Sequence, residues 1–150
     1  MINGTFRPWG DLEWLKSKLD VEEWSLLGCA STEDRCCSVL HHLDGSLYKY
    51  ATLFLRIDSE KEKYRQERDR SIAINIEQIN KLTSGTASHE TFKLMGPIPK
   101  LARSIQSFAE RSNGNVILDI TSFPKRFFFF ITKLLLENEN VENLLVTYMN

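Results

Sequence analysis

The stretch VILDITSFPKRFFFFITKLLL, residues 116–136, shows most directly how this chain folds. Residues 116–120 form a nearly continuous apolar run, which is typical of a parallel strand covered on both faces. A polar turn follows, and Pro124 stands near the first position of the next segment, where its missing N–H costs nothing. Residues 127–136 then continue as a strongly apolar helix. The stretch therefore predicts one strand–turn–helix unit of a parallel sheet.

Outside this stretch, the chain alternates between short β-like runs and helical runs. The other predicted strands are residues 24–30, 48–58, 91–95 and 144–148. Apolar residues recur at helical spacing within residues 10–19, 36–43, 72–82 and 101–108. Because strands that alternate with helices are typical of parallel sheets, we predict a three-layer, Rossmann-like α/β domain. It has about five mainly parallel strands flanked by helices.

The composition bounds the class of protein. The 150 residues are 42% apolar and 26% charged, which suits one globular domain over residues 1–150, with residues 1–21 as a leading helical segment. An aromatic content of 11% and a net charge of −1 exclude a disordered chain. The same near-neutral charge gives no strong signal for nucleic-acid binding. Only Met149 and Asn150 follow the last predicted strand, which favours the N-terminal part of a longer protein.

Targeting and cysteine usage point to the cytoplasm. The first twenty residues contain acids and no apolar segment long enough for a signal peptide. The most apolar run, residues 127–136, is about half the length that crosses a bilayer, so no membrane span is expected. Three cysteines, of which Cys36 and Cys37 are adjacent, favour reduced thiols over a disulfide framework. Cys37 and His41 give a weak zinc signal, but packing under a helix is the favoured interpretation and no metal site is predicted.

Two turns have the chemistry of an anion site. In an open parallel sheet, ligands bind beyond the carboxyl ends of the strands, where the strand order reverses. Residues 31–35 and 121–126 each place hydroxyl groups, free N–H groups and a basic side chain at a predicted helix start, where the helix dipole favours a phosphate. The predicted ligand-binding residues are Ser31, Thr32, Arg35, Asp119, Thr121, Ser122, Lys125 and Arg126. The alternative for Ser31 and Ser122 is helix capping alone, and Ser31 with Asp34 is similar to a capping box.

A charged run, SEKEKYRQERDR at residues 59–70, directly follows a predicted strand. A solvated helix face or loop is the favoured interpretation of such a run. The alternative is a flexible lid over whatever binds at the strand ends.

Sequence motifs give little support for a cofactor or for catalysis. Neither turn has the glycine spacing of a dinucleotide fingerprint, and no Walker lysine motif is present, so no cofactor is predicted. The sequence also lacks the common hydrolase, zinc-protease and thiol-redox motifs, which favours a role other than catalysis. The enzymatic alternative is a metal-dependent phosphodiesterase or nuclease, in which carboxylates would hold Mg²⁺ beside Lys125. Those carboxylates are Asp58, Asp119, Glu33 and Asp34.

Residues 116–125 resemble the fourth-strand signature of CRISPR-associated Rossmann-fold (CARF) sensor domains of prokaryotic defence systems. In that signature a strand ends in an acid and a threonine, here Asp119 and Thr121, and a basic residue, here Lys125, opens the next helix. The order of elements is similar over most of the chain, although the family tends to carry glycines where this sequence has residues 122–124. The resemblance implies a dimer, a cyclic oligonucleotide bound across its two-fold axis, and an effector module elsewhere in the protein or complex.

These observations favour a regulatory ligand-sensing domain of a bacterial antiviral defence protein, which binds a nucleotide or another phosphorylated ligand. The alternative from another functional class is an assembly module of a multi-subunit complex. Four consecutive phenylalanines, residues 127–130, cover all sides of the predicted helix, so at least one ring points away from the core. An exposed apolar ring favours a homo-oligomer or a protein partner at this helix.

Overall fold

Five strands alternate with helices along the computed structural model, which describes residues 9–60 and 63–150. The strands are β1 (Trp24–Ala30), β2 (Leu47–Asp58), β3 (Ser88–Lys93), β4 (Asn115–Asp119) and β5 (Asn143–Thr147). The helices are α1 (Leu12–Ser17), α2 (Ser38–His41), α3 (Arg65–Leu82), α4 (Ile98–Arg111) and α5 (Lys125–Glu137), with a short 3₁₀ helix (Asp34–Cys37) leading into α2. Of the predicted leading segment, residues 1–8 lie outside the described residues.

The five strands form one sheet in which every neighbouring pair is parallel, in the order β3-β2-β1-β4-β5. The chain builds outward from β1 to β3 on one side and then returns to build β4 and β5 on the other. The strand order therefore reverses between β1 and β4. In such a sheet, the crevice beyond the carboxyl ends of these two strands is the switch point at which ligands commonly bind.

Helices cover both faces of the sheet, because successive side chains of a strand point to opposite faces. On one face, Leu27 and Leu118 belong to an apolar cluster that includes side chains of α4 and α5. On the other face, Leu26 and Ile117 belong to a second cluster with side chains of α2 and α3. All seven residues of β1 are buried between these layers. The predicted three-layer, Rossmann-like α/β class is confirmed.

A glycine in the middle of β1 makes room for an aromatic ring on β2. Gly28 pairs with Phe54, whose side chain is fully buried. A Cβ atom at Gly28 would lie 2.8 Å from Cε1 of Phe54, which is closer than carbon atoms approach. The ring therefore occupies the space that any other residue at this position would need.

Three predicted features differ locally from the structure. The third strand was predicted at residues 91–95 but is Ser88–Lys93, because it is an edge strand in which only Phe92 is buried. The helix predicted over residues 72–82 begins earlier, at Arg65, so the second half of the charged run is a helix face, which is one of the two forms favoured for that run. The turn after β1 contains no capping box: the Ser31 hydroxyl accepts the N–H of Glu33 at 3.1 Å, and a 3₁₀ helix follows.

Candidate functional site

A buried carboxylate lies at the carboxyl end of β4. Asp119 is 2% exposed, and its Oδ1 accepts hydrogen bonds from the hydroxyls of Thr121, at 2.6 Å, and Thr147, at 3.0 Å. Burial raises the pKa of this carboxyl, while the two hydroxyl groups act in the opposite direction. The carboxylate thus joins β4, the turn after it, and the end of β5.

Residues 148–150, which follow β5, lie against the turn after β4. The N–H of Met149 donates to Oγ1 of Thr121 at 2.9 Å, and the N–H of Ile120 donates to the carbonyl of Thr147 at 2.9 Å. Two of the predicted ligand-binding residues, Asp119 and Thr121, are therefore hydrogen-bonded to the end of β5 and to the segment after it. A ligand at the switch point would compete with these contacts.

Arg35 is also engaged within the chain. Its guanidinium donates to the Tyr148 hydroxyl at 3.0 Å, pairs with the Glu33 carboxylate, and lies 5.4 Å from the centroid of the Tyr148 ring. The hydrogen bonds that Arg35 donates to Glu33 and Tyr148 raise the pKa of its guanidinium. The predicted cation of the first turn is thus directed at the segment after β5.

The remaining predicted residues divide between two places. Ser31 is half-buried, with its carbonyl accepting from the Asn75 amide at 2.8 Å, and Thr32 beside it is exposed. Within the described residues, the buried Oγ of Ser122 has no hydrogen-bond partner. Lys125 and Arg126 are exposed at the start of α5, and Arg126 donates to the carbonyl of Leu94 at 2.9 Å, in the turn after β3. The structure brings Arg35, Asp119 and Thr121 together at the switch point, whereas Arg126 contacts the turn after β3, next to a neighbouring crevice.

A cavity of about 600 Å³ opens in that neighbouring crevice, beyond the carboxyl ends of β2 and β3 and beside the starts of α3 and α4. Its volume falls within the range of small-molecule sites, roughly 300–1,000 Å³. The cationic lining residues are Arg65, Arg68, Lys93 and Lys100, and the acidic ones are Asp58 and Glu60. Large apolar side chains of the lining are those of Phe92, Ile98, Leu101 and Phe127. The cavity thus combines an apolar wall with a predominantly positive rim.

The acid at the end of β2 is neutralised by arginines. Oδ1 of Asp58 accepts from Nε of Arg56 at 2.7 Å and from Nη2 of Arg68 at 3.2 Å. Arg56 also pairs with Asp69, on the first turns of α3. Among the described residues, the buried Nε of Arg68 has no hydrogen-bond partner. This network fixes the start of α3 against the end of β2.

The two lysines of the cavity carry positive charge that other described residues do not neutralise. Within residues 9–60 and 63–150, neither Lys93 nor Lys100 forms an ion pair, and Nζ of Lys100 lies 5.4 Å from the centroid of the Phe92 ring. In the same part of the chain, no side chain caps the start of α4, which lines the cavity at Pro97 and Ile98. Uncapped N–H groups and the positive end of the helix dipole add to the attraction for an anion.

The carboxylates of the phosphodiesterase alternative lie apart. Asp119 is level with Gly28 and Phe54 in the sheet, whereas Asp58 is four residues further along β2. With two strand spacings between β2 and β4, their Cα atoms are about 16 Å apart. In the described part of the chain, no three His, Cys, Asp or Glu side chains come together in an arrangement that could hold a metal ion.

The three cysteines pack as apolar residues, as predicted. Cys29, Cys36 and Cys37 are free thiols and are buried. The thiols of Cys36 and Cys37 are hydrogen-bonded, with 3.8 Å between their sulfur atoms, within the cluster under α2 and α3. The hydrogen bond from Cys37, with further bonds from Ser31, lowers the pKa of Cys36, while burial raises the pKa of Cys29.

Sequence reasoning missed the cations of the cavity. Arg65 and Arg68 lie in the charged run for which a solvated face was favoured, and Lys93 and Lys100 flank the Gly96–Pro97 turn. One signal was available: this run directly follows the end of a buried strand, where a parallel sheet binds its ligands. The lid alternative rests on that position.

Comparison with known proteins gave no relative: no protein-family model, curated protein or solved structure matches this chain. Among the described residues, no helix has both the length and the apolar character that a membrane crossing requires.

Proposed function

We propose that this chain is a ligand-sensing domain of a bacterial antiviral defence protein, and that it binds a nucleotide or another phosphorylated small molecule at the carboxyl edge of its sheet. The observation that carries the proposal is the cavity between β2, β3, α3 and α4, in which cations outnumber acids. The resemblance of residues 116–125 to CARF sensor domains supports the role in defence.

The lining of the cavity suits a ligand with two parts. Lys93 and Lys100 offer charge to a phosphate group, together with the N–H groups of the first turn of α4. The apolar wall, which includes Phe92 and Phe127, offers a surface for a nucleobase or another flat apolar group. A ligand of this kind would use both parts of the lining at once.

The switch-point residues remain a prediction for a second contact region. There a phosphorylated ligand would have to displace Tyr148 from Arg35 and the Met149 N–H from Thr121. Free, buried thiols at all three cysteines support a reducing compartment, so we infer a cytoplasmic location.

Ligand binding is tested by thermal shift and calorimetry with inorganic phosphate, nucleoside mono- and diphosphates, and cyclic oligonucleotides. A ligand at 100 times its Kd should stabilise the fold by about 2.7 kcal/mol. The Lys93→Ala/Lys100→Ala double variant should bind at least about tenfold more weakly, because a hydrogen bond to a charged group contributes about 1.5–3 kcal/mol.

The matched control is Lys49→Ala/Lys81→Ala, which removes the same charge from exposed positions outside the cavity. This control should bind as the unmodified protein does. A panel in which no compound stabilises the protein, or an affinity that the cavity variant leaves unchanged, would refute the proposal.

A second candidate function, assembly with a protein partner, is favoured by the surface of α5. Phe127 is buried, Phe128 and Phe130 are half-buried, and Phe129 is 65% exposed. At least one of the four rings therefore points away from the core, as predicted. An exposed phenylalanine on a surface helix is the kind of group that a protein partner covers.

A further inference from the structure

The outward side of α5 carries a continuous row of exposed side chains. Lys125, Phe129, Lys133 and Leu136 follow one another at spacings of three and four residues, and all are exposed. We call this row the α5 stripe. Phe129 and Leu136, at 65% and 45% exposure, give it two apolar positions one heptad apart.

The charges along α5 run against its helix dipole. Its first turn begins with Lys125 and Arg126 and contains no acid. Its last turn contains Glu137 and no base, and Glu139 follows two residues after the helix ends. Because helices favour acids at the first turn and bases at the last, these charges do not stabilise α5 on its own.

An antiparallel α5 from a second copy places acidic residues near the start of α5 and basic residues near its end. With a two-fold axis midway between Thr132 and Lys133, Phe129 of each copy faces Leu136 of the other. Lys125 of each copy then lies level with Asn140 of the other, in the turn after α5 that also contains Glu139, and the two helix dipoles are oppositely directed. Every contact occurs twice, as a two-fold interface requires.

Lys133 is the residue of the α5 stripe nearest to the axis, so the Lys133 side chains of the two copies lie close together. The charge of Lys133 is partly neutralised within each copy, since Nζ lies 3.9 Å from the Glu137 carboxylate. The aliphatic part of Lys133 can also cover the Phe129 ring of the other copy, with its ammonium group near the ring face.

We propose that the α5 stripe pairs with the α5 stripe of a second copy in antiparallel orientation. This inference rests on the second candidate function and names its partner. A contact between two helices is small compared with a standard interface of about 1,600 Å², so the dimer is reversible and depends on protein concentration.

Charge exchange tests the orientation, with sedimentation equilibrium over a range of protein concentrations as the measurement. Lys125→Glu places an acid beside Glu139 of the other copy, and Glu139→Lys places a base beside Lys125 of the other copy. Each single variant should raise the dimer Kd at least fivefold. The Lys125→Glu/Glu139→Lys double variant restores the complementary pairs and should recover the dimer.

Phe129→Ser tests the apolar contact and should make the chain monomeric, with circular dichroism showing that the fold is retained. A protein that is monomeric at every concentration would overturn this pairing and leave assembly with a different protein to be tested separately. A dimer that Phe129→Ser and the charge variants do not alter would also overturn it. The ligand measurements on the Lys93 and Lys100 variants are independent of both results.

Discussion

At the scale of single residues, Gly28 and Phe54 depend on each other. Gly28→Ala would place a methyl group 2.8 Å from the Phe54 ring, in a strand that is buried on both faces. We expect the variant to lose about 1–3 kcal/mol of unfolding free energy, which is the usual cost of overpacking a core. Urea denaturation of both proteins measures this loss.

The matching control is a double-mutant cycle with Phe54→Leu. Leucine lacks the ring atoms that the new methyl group would contact, so Gly28→Ala should cost less in the Phe54→Leu background than in the unmodified protein. Equal losses of unfolding free energy in the two backgrounds would show that the Phe54 ring does not exclude a side chain from position 28.

At the scale of elements, the hydroxyl of Thr121 holds the segment after β5 in place. Thr121→Val removes the acceptor of the Met149 N–H, together with the donor to Asp119, while it preserves the shape of the side chain. A hydrogen bond contributes about 1 kcal/mol, so amide exchange at Met149 should become roughly five times faster. Hydrogen exchange of a peptide over residues 144–150 measures this rate.

Thr132→Val provides the comparison, because the Thr132 hydroxyl bonds to the carbonyl of Phe128 inside α5. It should leave exchange in residues 144–150 unchanged. The contact assigned to Thr121 would be contradicted if the two variants exchanged at the same rate in this segment.

Strands and helices could be predicted from the sequence where buried apolar residues recur regularly along them. β1 and β4 are covered on both faces, and their apolar runs located them to within one residue. β3 was displaced by three residues because a sheet edge leaves most of its side chains in water, so its sequence has no apolar pattern. The short 3₁₀ helix after β1 follows a turn in which the N–H of Glu33 donates to the Ser31 hydroxyl, a local contact that periodicity does not reveal.

At the scale of the whole molecule, Asp119 makes stability depend on pH. Burial raises the pKa of Asp119 in the folded protein, which therefore holds this proton to a higher pH than the unfolded chain does. Its contribution to the unfolding free energy thus falls as pH rises from the ordinary carboxyl range through the raised pKa. Relative to the unmodified protein, Asp119→Asn should gain stability across that window, by about 1.4 kcal/mol per unit of pKa difference.

Urea unfolding of the two proteins in small pH steps measures the effect. The difference between them should grow as the pH rises and become constant above the raised pKa of Asp119. A difference that is the same at every pH would show that Asp119 has the same proton affinity in the folded and unfolded chains.

The candidate site was harder to predict than the fold, because it is assembled from distant parts of the chain. The switch-point residues lie beside predicted strand ends, so strand order and helix starts were enough to select them. The cavity joins Arg68 of α3 to Lys93 and Lys100, and this meeting depends on β3 pairing with β2. The sequence pattern placed those residues in separate segments, and the one sign of the cavity that they share was the position of the charged run directly after a buried strand.

The central place of β1 has a consequence for how the protein is made. β2 is synthesised soon after β1, but β4, which pairs with its other edge, comes about 90 residues later. At about 5–20 residues per second, the nascent chain keeps one edge of this strand, which is fully buried in the folded protein, bare for roughly 5–20 s. A bare edge of this kind is a template for pairing with other chains. The yield of native protein in a cell should therefore depend on translation speed and on chaperones that shield this edge.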